Sequence, residues 1–169
     1  RLWPLSNDAR SKQFLKVLRD ESGGGQSMVQ RTFSMLEQIP LEKNIVVATC
    51  ASQKSSIDIQ LPDSDYNVVI EPERRDTAPA IMLAAAYLAW KKDVDPRDTV
   101  VVMPIDTYAS QAYYDNLVSL DEAVQSDVAE LILLGATPTY PSEKFGYIVF
   151  DPTSEGPVKK VSCFIEKPP

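Results

Sequence analysis

The sequence has 169 residues, of which 44% are apolar, and this length and composition predict one domain with a single hydrophobic core. Its 17 basic and 24 acidic residues give a net charge of −7, which opposes binding to nucleic acid or to an anionic membrane. No stretch approaches the roughly 20 consecutive apolar residues of a membrane span, and no secretory signal opens the chain, so we expect a cytoplasmic protein that acts on a small substrate.

The N-terminal half begins with a glycine-rich turn. The stretch 22–27 (SGGGQS) is interpreted as a turn before a helix from Ser27 to Gln38, because no apolar strand precedes it and no Lys-Ser or Lys-Thr follows it, as a phosphate loop would require. Short apolar runs at 44–49 (NIVVAT) and 67–71 (NVVIE) are typical of parallel strands covered on both faces. A helical stripe then predicts a helix over 77–92.

The C-terminal half continues the alternation and then changes character. Apolar runs at 99–104 (TVVVMP) and 130–135 (ELILLG) predict two further strands, and Leu117, Leu120 and Val124 mark an amphipathic helix between them. The runs 146–150 and 158–166 flank a turn that contains Pro and Gly, which indicates a hairpin-like pair of strands.

This alternation of strands and helices predicts an α/β fold. We expect a Rossmann-like, doubly wound and mostly parallel sheet in a three-layer α/β/α arrangement, built from right-handed βαβ units. Ligands of such sheets bind outside the carboxyl ends of the strands. The residues at those ends are Glu71-Pro72, Pro104-Ile105-Asp106 and Gly135-Ala136-Thr137.

The chain contains no histidine and two cysteines. The lack of histidine excludes Ser-His and Cys-His nucleophilic schemes and most zinc sites. Cys50 and Cys163 lie in or beside apolar runs, so we expect buried free thiols. Carboxylates, lysines, arginines and hydroxyls are left to carry any chemistry.

Five short stretches hold the residues best suited to such chemistry, and each also has a structural explanation. Asp106 could cap the segment that follows its strand, and Lys12 and Lys167 could be solvated surface charges. The stretch 74–76 (RRD) could be a salt-bridged loop, and Pro79 is tolerated in the first turn of a helix. Gly146 could be a turn or strand-edge glycine. These separate explanations do not account for the order in which the stretches occur.

The order and wording of these stretches resemble those of the sugar-nucleotide pyrophosphorylases, and most closely those of the mannose-1-phosphate guanylyltransferases. The resemblance covers essentially the whole chain. The family's first signature is Gly-Gly-x-Gly-x-Arg-Leu-Trp-Pro-Leu-Ser, and residues 1–6 (RLWPLS) match its second half. Lys12-Gln13-Phe14-Leu15 matches the stretch that follows this signature in the family. The second, Glu-Pro-x-x-Arg-(Asn/Asp)-Thr-Ala-Pro-Ala-Ile, matches residues 71–81 and is the most specific. The stretches 103–106 (MPID), 145–148 (FGYI) and 164–168 (FIEKP) stand for Pro-Ala-Asp-His, Tyr-Gly-Tyr-Ile and Phe-Val-Glu-Lys-Pro in the family.

The resemblance implies the nucleotide-diphospho-sugar transferase fold and a reaction in which GTP and mannose-1-phosphate give GDP-mannose and pyrophosphate with Mg²⁺. Its implied catalytic residues are Arg1 and Lys12 on the triphosphate, Asp106 as a metal ligand and Lys167 on the sugar phosphate. The implied nucleotide-binding residues are Glu71, Arg75, Asp76, Thr77, Ala78 and Pro79. The implied sugar-phosphate-binding residues are Gly146, Tyr147, Glu166 and Lys167.

The chain also departs from the family pattern. The glycine loop and the strand before it are missing, and so is the C-terminal part that carries a second metal-binding aspartate, so residues 1–169 are expected to form a partial nucleotidyltransferase domain. Ser11, Ile105 and Thr107 replace the usual proline, alanine and histidine. Another sugar-1-phosphate nucleotidyltransferase and a non-catalytic regulatory homologue that binds a sugar nucleotide stay open, as does a homo-oligomer.

Overall fold

The computed structural model describes residues 4–6 and 11–167 of the chain. The chain divides into two units, Arg1–Leu131 and Ile132–Pro169. None of the helices in the described part is both long and apolar enough to cross a membrane.

The described residues of the first unit form one parallel and one antiparallel pair of strands together with four α-helices. In chain order its elements are a 3-10 helix (Lys12–Phe14), β1 (Leu18–Arg19), β2 (Gly25–Gln26), α1 (Met28–Glu37), β3 (Val46–Cys50), α2 (Ala51–Gln60), β4 (Asn67–Glu71), α3 (Thr77–Lys91) and α4 (Gln111–Gln125). Strands β3 and β4 pair in parallel, with Cys50 opposite Glu71 at their carboxyl ends. Helix α2 connects them, and α3 lies against both strands. The parallel strands predicted over 44–49 and 67–71 are therefore confirmed.

The glycine-rich turn joins β1 to β2 and is built around Asp20. One carboxylate oxygen of Asp20 accepts hydrogen bonds from the Ser22 hydroxyl at 2.7 Å and from the amides of Ser22 and Gly24 at 2.9 and 2.8 Å. The Ser22 hydroxyl, followed by the Gly24 amide, lowers the pKa of Asp20 below its ordinary value. The Asp20 carboxylate thus accepts the amide hydrogen bonds that a phosphate loop would donate to phosphate, in agreement with the interpretation of this stretch as a turn.

Helix α1 begins at a capping box. The Ser27 hydroxyl accepts from the Gln30 amide, and the Gln30 side chain accepts from the Ser27 amide, both at 3.2 Å. This reciprocal pair satisfies two amides that the first helical turn leaves without partners. Helices α1 and α3 lie within a residue of their predicted bounds, whereas α2 was not predicted.

The hydrophobic core of the first unit consists of two clusters of buried side chains. One contains Phe14, Val29, Phe33, Ile57 and Leu61, and the other contains Ile39, Tyr114 and Leu117. Partly buried residues beside Asp106 join both clusters, because Ile105 packs on the first and Met103 and Ala109 pack on the second. The core therefore supports the segment that carries Asp106.

The strands expected over 99–104 and 130–135 are not formed, and this part of the prediction was wrong. A strand requires a neighbour for its backbone N–H and C=O groups, and none of the described strands pairs with either segment. Several of their side chains are accordingly exposed, 52% for Val100 and 79% for Leu131. The described strands form three two-stranded sheets in place of the expected continuous sheet.

The second unit is built on an antiparallel hairpin, as predicted. Its strands are β5 (Gly146–Phe150) and β6 (Val161–Glu166), with Gly146 opposite Glu166 and a register shift between Val149 and Phe150. The amide of Lys167 donates to the carbonyl of Phe145 at 3.1 Å and extends the pairing by one step. Gly146, Glu166 and Lys167 therefore lie together at one end of the hairpin.

Candidate functional site

Lys12 and Asp106 form an ion pair in the first unit. Lys12 begins the 3-10 helix, Asp106 follows the apolar segment 99–104, and the Lys12 ammonium contacts Oδ2 of the Asp106 carboxylate. The side chains are 50% and 44% exposed, so the pair is open to solvent and to ligands. The fold thus places the cation expected on the α-phosphate against the carboxylate expected on the metal.

Arg31 of α1 holds the segment that follows Asp106. Its Nη2 donates to the carbonyl of Ala109 at 2.9 Å, and its guanidinium carbon lies 4.5 Å from the centre of the Tyr108 ring. Such a cation–π contact is stabilising at this distance. The backbone two to three residues beyond Asp106 is therefore tied to α1.

The second signature forms a groove at the carboxyl end of β4. The groove has a volume of about 380 Å³ and is lined by Glu71, Pro72, Glu73, Arg75, Pro79 and Leu83. Within it, Arg75 donates through Nε and Nη2 to Oε2 of Glu73 at 2.9 and 2.6 Å. A planar base with hydrogen-bonding edges fits such a surface, which has proline and leucine faces beside charged groups.

A second groove of similar size, about 390 Å³, lies elsewhere on the first unit. Its lining residues are Lys54, Asp58, Leu61, Pro62, Ser64, Tyr66 and Val68. It contains none of the residues that the sequence assigns to the site. Its charged groups, Lys54 and Asp58, pair with each other at 2.6 Å.

Cys50 ends β3 and lies beside the loop of the second signature. Its Sγ accepts from Nη2 of Arg74 at 3.1 Å and lies 3.2 Å from the Ser52 hydroxyl. Burial raises the pKa of the Cys50 thiol, but the hydrogen bonds from Ser52 and Arg74 and the charge of Arg74 outweigh it, so the pKa is lowered. Both cysteines are free as predicted, but Cys50 is only half-buried and Cys163 is exposed, so the expectation of buried thiols was wrong.

In the second unit, the residues implied for the sugar phosphate surround the start of β5. The Glu166 carboxylate lies 3.2 Å from the Lys167 ammonium, and one of its oxygens lies 2.6 Å from the position that a Cβ on Gly146 would take. The Tyr147 hydroxyl donates to the Ser142 carbonyl at 2.9 Å and accepts from the Ser142 amide at 2.6 Å. Glu166 and Lys167 thus reach solvent, whereas the Tyr147 hydroxyl is bonded within its own unit.

Four non-glycine residues of the described chain have positive φ, and two of them belong to the predicted site. Asp93 and Asp127 each follow the C-cap of a helix, where a left-handed residue is common. Asp76 (φ 68°, ψ −169°) and Lys167 (φ 44°) do not end a helix. Backbone strain of this kind concentrates at functional sites, and the assignment of both residues stays a prediction.

The predicted site residues are only partly brought together among the described residues. Lys12 contacts Asp106, and Glu71, Arg75 and Pro79 share the groove, while Arg1 lies outside the described residues. No group of three or more carboxylates and cysteines that could hold a metal occurs in the described part of the chain. Glu73 and Leu83 line the groove but were not predicted. Any residue type is allowed at the signature position of Glu73, and Leu83 lies beyond the end of the signature.

Comparisons with known proteins show which sequences and structures this chain resembles. The mannose-1-phosphate guanylyltransferase of Escherichia coli is 32% identical over 177 residues, which cover 99% of this chain and 36% of that protein. The mannose-1-phosphate guanylyltransferase ManC of Salmonella typhimurium is 31% identical over 177 residues, which cover 99% of this chain and 35% of that protein. The chain thus spans about a third of the length of these curated relatives.

A solved structure from Thermus thermophilus, described as a mannose-1-phosphate geranyltransferase, superposes with a TM-score of 0.77 and 28% identity. The match covers 99% of this chain and 47% of that one, and it confirms the predicted α/β fold class. The model of the family described as Nucleotidyl transferase matches residues 1–169, and the chain therefore belongs to that family.

Proposed function

We propose that the protein to which this chain belongs transfers GMP from GTP to mannose-1-phosphate, giving GDP-mannose and pyrophosphate. The observation that carries the proposal is the contact between Lys12 and Asp106, which lie 94 residues apart in sequence. The names of the relatives from Escherichia coli and Salmonella typhimurium support the choice of base and sugar.

The reaction requires little from the protein beyond neutralising and aligning anions. An oxygen of the sugar phosphate, ionised at neutral pH, forms a bond to the α-phosphorus of GTP while the bond from that phosphorus to the bridging oxygen breaks. Pyrophosphate leaves with the electron pair, so no general base is needed. Positioning and electrostatic stabilisation account for most of the catalysis of such transfers.

Lys12 would meet the negative charge that develops at the α-phosphate, and Arg1 would meet the triphosphate. The groove lined by Glu71, Arg75 and Pro79 would hold the guanine, with Thr77 offering a hydroxyl to its edge. In the second unit, Glu166 would accept hydrogen bonds from the sugar hydroxyls, Gly146 would let the backbone approach the sugar, and Lys167 would hold the sugar phosphate.

The donor set at Asp106 fits Mg²⁺. This ion is commonly held by one or two carboxylates together with substrate phosphates and water, and Asp106 supplies one such carboxylate at an exposed position. When bound, the ion would neutralise phosphate charge. Asp106 would be its ligand from the protein.

Pyrophosphate release measured with purified full-length protein tests the proposal. GTP with mannose-1-phosphate and Mg²⁺ is expected to be the best of a panel in which ATP, UTP and dTTP replace GTP and glucose-1-phosphate replaces mannose-1-phosphate. A higher kcat/KM for another pair would replace the proposed substrates. Turnover that is unchanged by EDTA would remove the metal from the proposal.

A further inference from the structure

We infer that Gln53 is a positioning residue for Lys12. Gln53 lies in the first turn of α2, three residues beyond the end of β3, and its side chain is half-buried. Its amide contacts both sequence neighbours of Lys12. Only the role of Lys12 towards phosphate rests on the proposed function.

Three hydrogen bonds carry the inference. Nε2 of Gln53 donates to the Ser11 hydroxyl at 2.7 Å, and Oε1 accepts from Nε2 of Gln13 at 3.3 Å. The same Oε1 accepts from the hydroxyl of Thr49, a buried residue of β3, at 3.1 Å. The turn that carries Lys12 is thus fastened on both sides to the end of β3.

The conformation of Ser11 shows what this fastening does. Ser11 has φ −69° and ψ 149° and precedes the 3-10 helix, whose Phe14 amide donates to the Ser11 carbonyl at 3.1 Å. A proline ring would hold φ near −65° by covalent geometry, whereas a serine is free to leave this value. In this chain the hydrogen bond from Gln53 takes the place of a ring in fixing the residue before Lys12.

The consequence for the site concerns the Lys12 ammonium. A lysine side chain has several rotatable bonds, so its reach depends on the backbone from which it starts. With Ser11 and Gln13 held by Gln53, the ammonium reaches the Asp106 carboxylate. Without Gln53, the turn gains freedom and the ammonium spends more time in solvent.

Gln53→Ala tests the inference, with acylation of Lys12 by an amine-reactive ester as a readout that needs no ligand. Peptide mapping is expected to show Lys12 acylated about three to ten times faster than in wild type, as the loss of a hydrogen bond predicts. GTP affinity in the presence of Mg²⁺ is expected to fall by a similar factor. Gln38→Ala, which removes a bond of 3.3 Å to the Ser34 carbonyl on the exposed side of α1, is expected to change neither.

A rescue separates positioning from a structural role. In the double variant Gln53→Ala with Ser11→Pro, the ring restores φ without any hydrogen bond, and the Lys12 acylation rate is expected to return towards the wild-type value. If Gln53→Ala lowers the melting temperature by many degrees, Ser11→Ala removes the 2.7 Å bond alone and carries the same expectation.

Acylation of Lys12 at the wild-type rate in both Gln53→Ala and Ser11→Ala would overturn the inference. A faster rate that Ser11→Pro does not reduce would also overturn it, because the effect would then not depend on the conformation of Ser11. If wild-type protein binds no GTP, the proposed function is contradicted. The acylation rates of Lys12 would still show whether Gln53 positions Lys12.

Discussion

The Lys12 ammonium and the Asp106 carboxylate contact each other although neither belongs to a strand or an α-helix of the first unit. Both side chains are about half exposed, and exposed ion pairs contribute at most about 1 kcal/mol to stability. The pair therefore contributes little to the stability of the fold, and both charges are accessible to the ligand proposed above. A magnesium–nucleotide complex would separate the two charges and give each an oppositely charged partner.

Asp106→Asn is expected to abolish Mg²⁺-dependent GTP binding while lowering the free energy of unfolding by less than about 1 kcal/mol. The asparagine keeps the size of the side chain but removes its charge. Calorimetric titration and thermal melts measure the two effects. Asp58→Asn is the matched control, because the Lys54–Asp58 pair is equally exposed and should leave GTP binding unchanged. Equal losses of GTP affinity in both variants would contradict the assignment of Asp106.

Gly146→Ala is expected to weaken binding of mannose-1-phosphate without a measurable loss of stability. A Cβ at this position would lie 2.6 Å from an oxygen of Glu166, so the carboxylate must move, and an exposed side chain can do so at little cost. Gly135→Ala serves as the control, since its Cβ would meet only Cδ1 of Ile148 at the ordinary distance of 3.8 Å. Chemical shifts of the Glu166 carboxylate would report the movement. Unchanged shifts and affinity in Gly146→Ala would refute it.

Ser27→Ala is expected to lower the free energy of unfolding by about 1 to 2 kcal/mol, the usual contribution of an N-cap residue. Ser27 is fully buried, and its hydroxyl also donates to Oε1 of Gln60 at 2.6 Å, which puts the effect at the upper end of that range. Ser110→Ala removes an N-cap serine whose side chain makes no capping bond, so it should cost much less. Urea denaturation of the two variants gives the comparison, and equal costs would speak against the capping box.

Cys50 is expected to be alkylated by iodoacetamide with a midpoint pH below that of an ordinary thiol. Its pKa is lowered, so a larger fraction is thiolate, the reactive form, at any pH below the midpoint. Arg74→Met removes a hydrogen bond and a positive charge, and should move the midpoint to higher pH. Arg97→Met, at an arginine paired with Asp95, should not move it. Peptide mapping separates Cys50 from Cys163. An alkylation midpoint of Cys50 that is the same in Arg74→Met and in wild type would exclude Arg74 as the cause of the lowered pKa.

The elements that the sequence predicted well have local signals. Ser27 with Gln30 three residues later marks the start of α1, and the apolar run 146–150 before a turn that contains Pro and Gly marks β5. Helix α2 was missed because it buries only Ile57 and has no apolar stripe. The segment 99–104 has the apolar composition of a strand, but none of the described strands pairs with it, so its backbone lacks the neighbour that a strand requires.

The residues of the candidate site likewise include some that the sequence predicts and some that only the structure reveals. Lys12, Asp106 and Glu166 could be proposed from the sequence because they lie in short motifs with a recognisable order. Gln53 and Arg31 were not found, because their roles depend on hydrogen bonds to residues 42 and 78 positions away in the sequence. Such contacts leave no periodic or local pattern, so only the folded chain reveals them.

The positive φ angles of Asp76 and Lys167 bring the stability of the fold into conflict with the activity proposed above. A non-glycine residue in such a conformation costs of the order of 1 to 3 kcal/mol, which the remainder of the fold must supply. Glycine at either position would relieve the strain and give the loop more freedom in the native state. Glycine at 76 or 167 would therefore favour thermal stability at the expense of the nucleotide and sugar-phosphate contacts proposed above for Asp76 and Lys167.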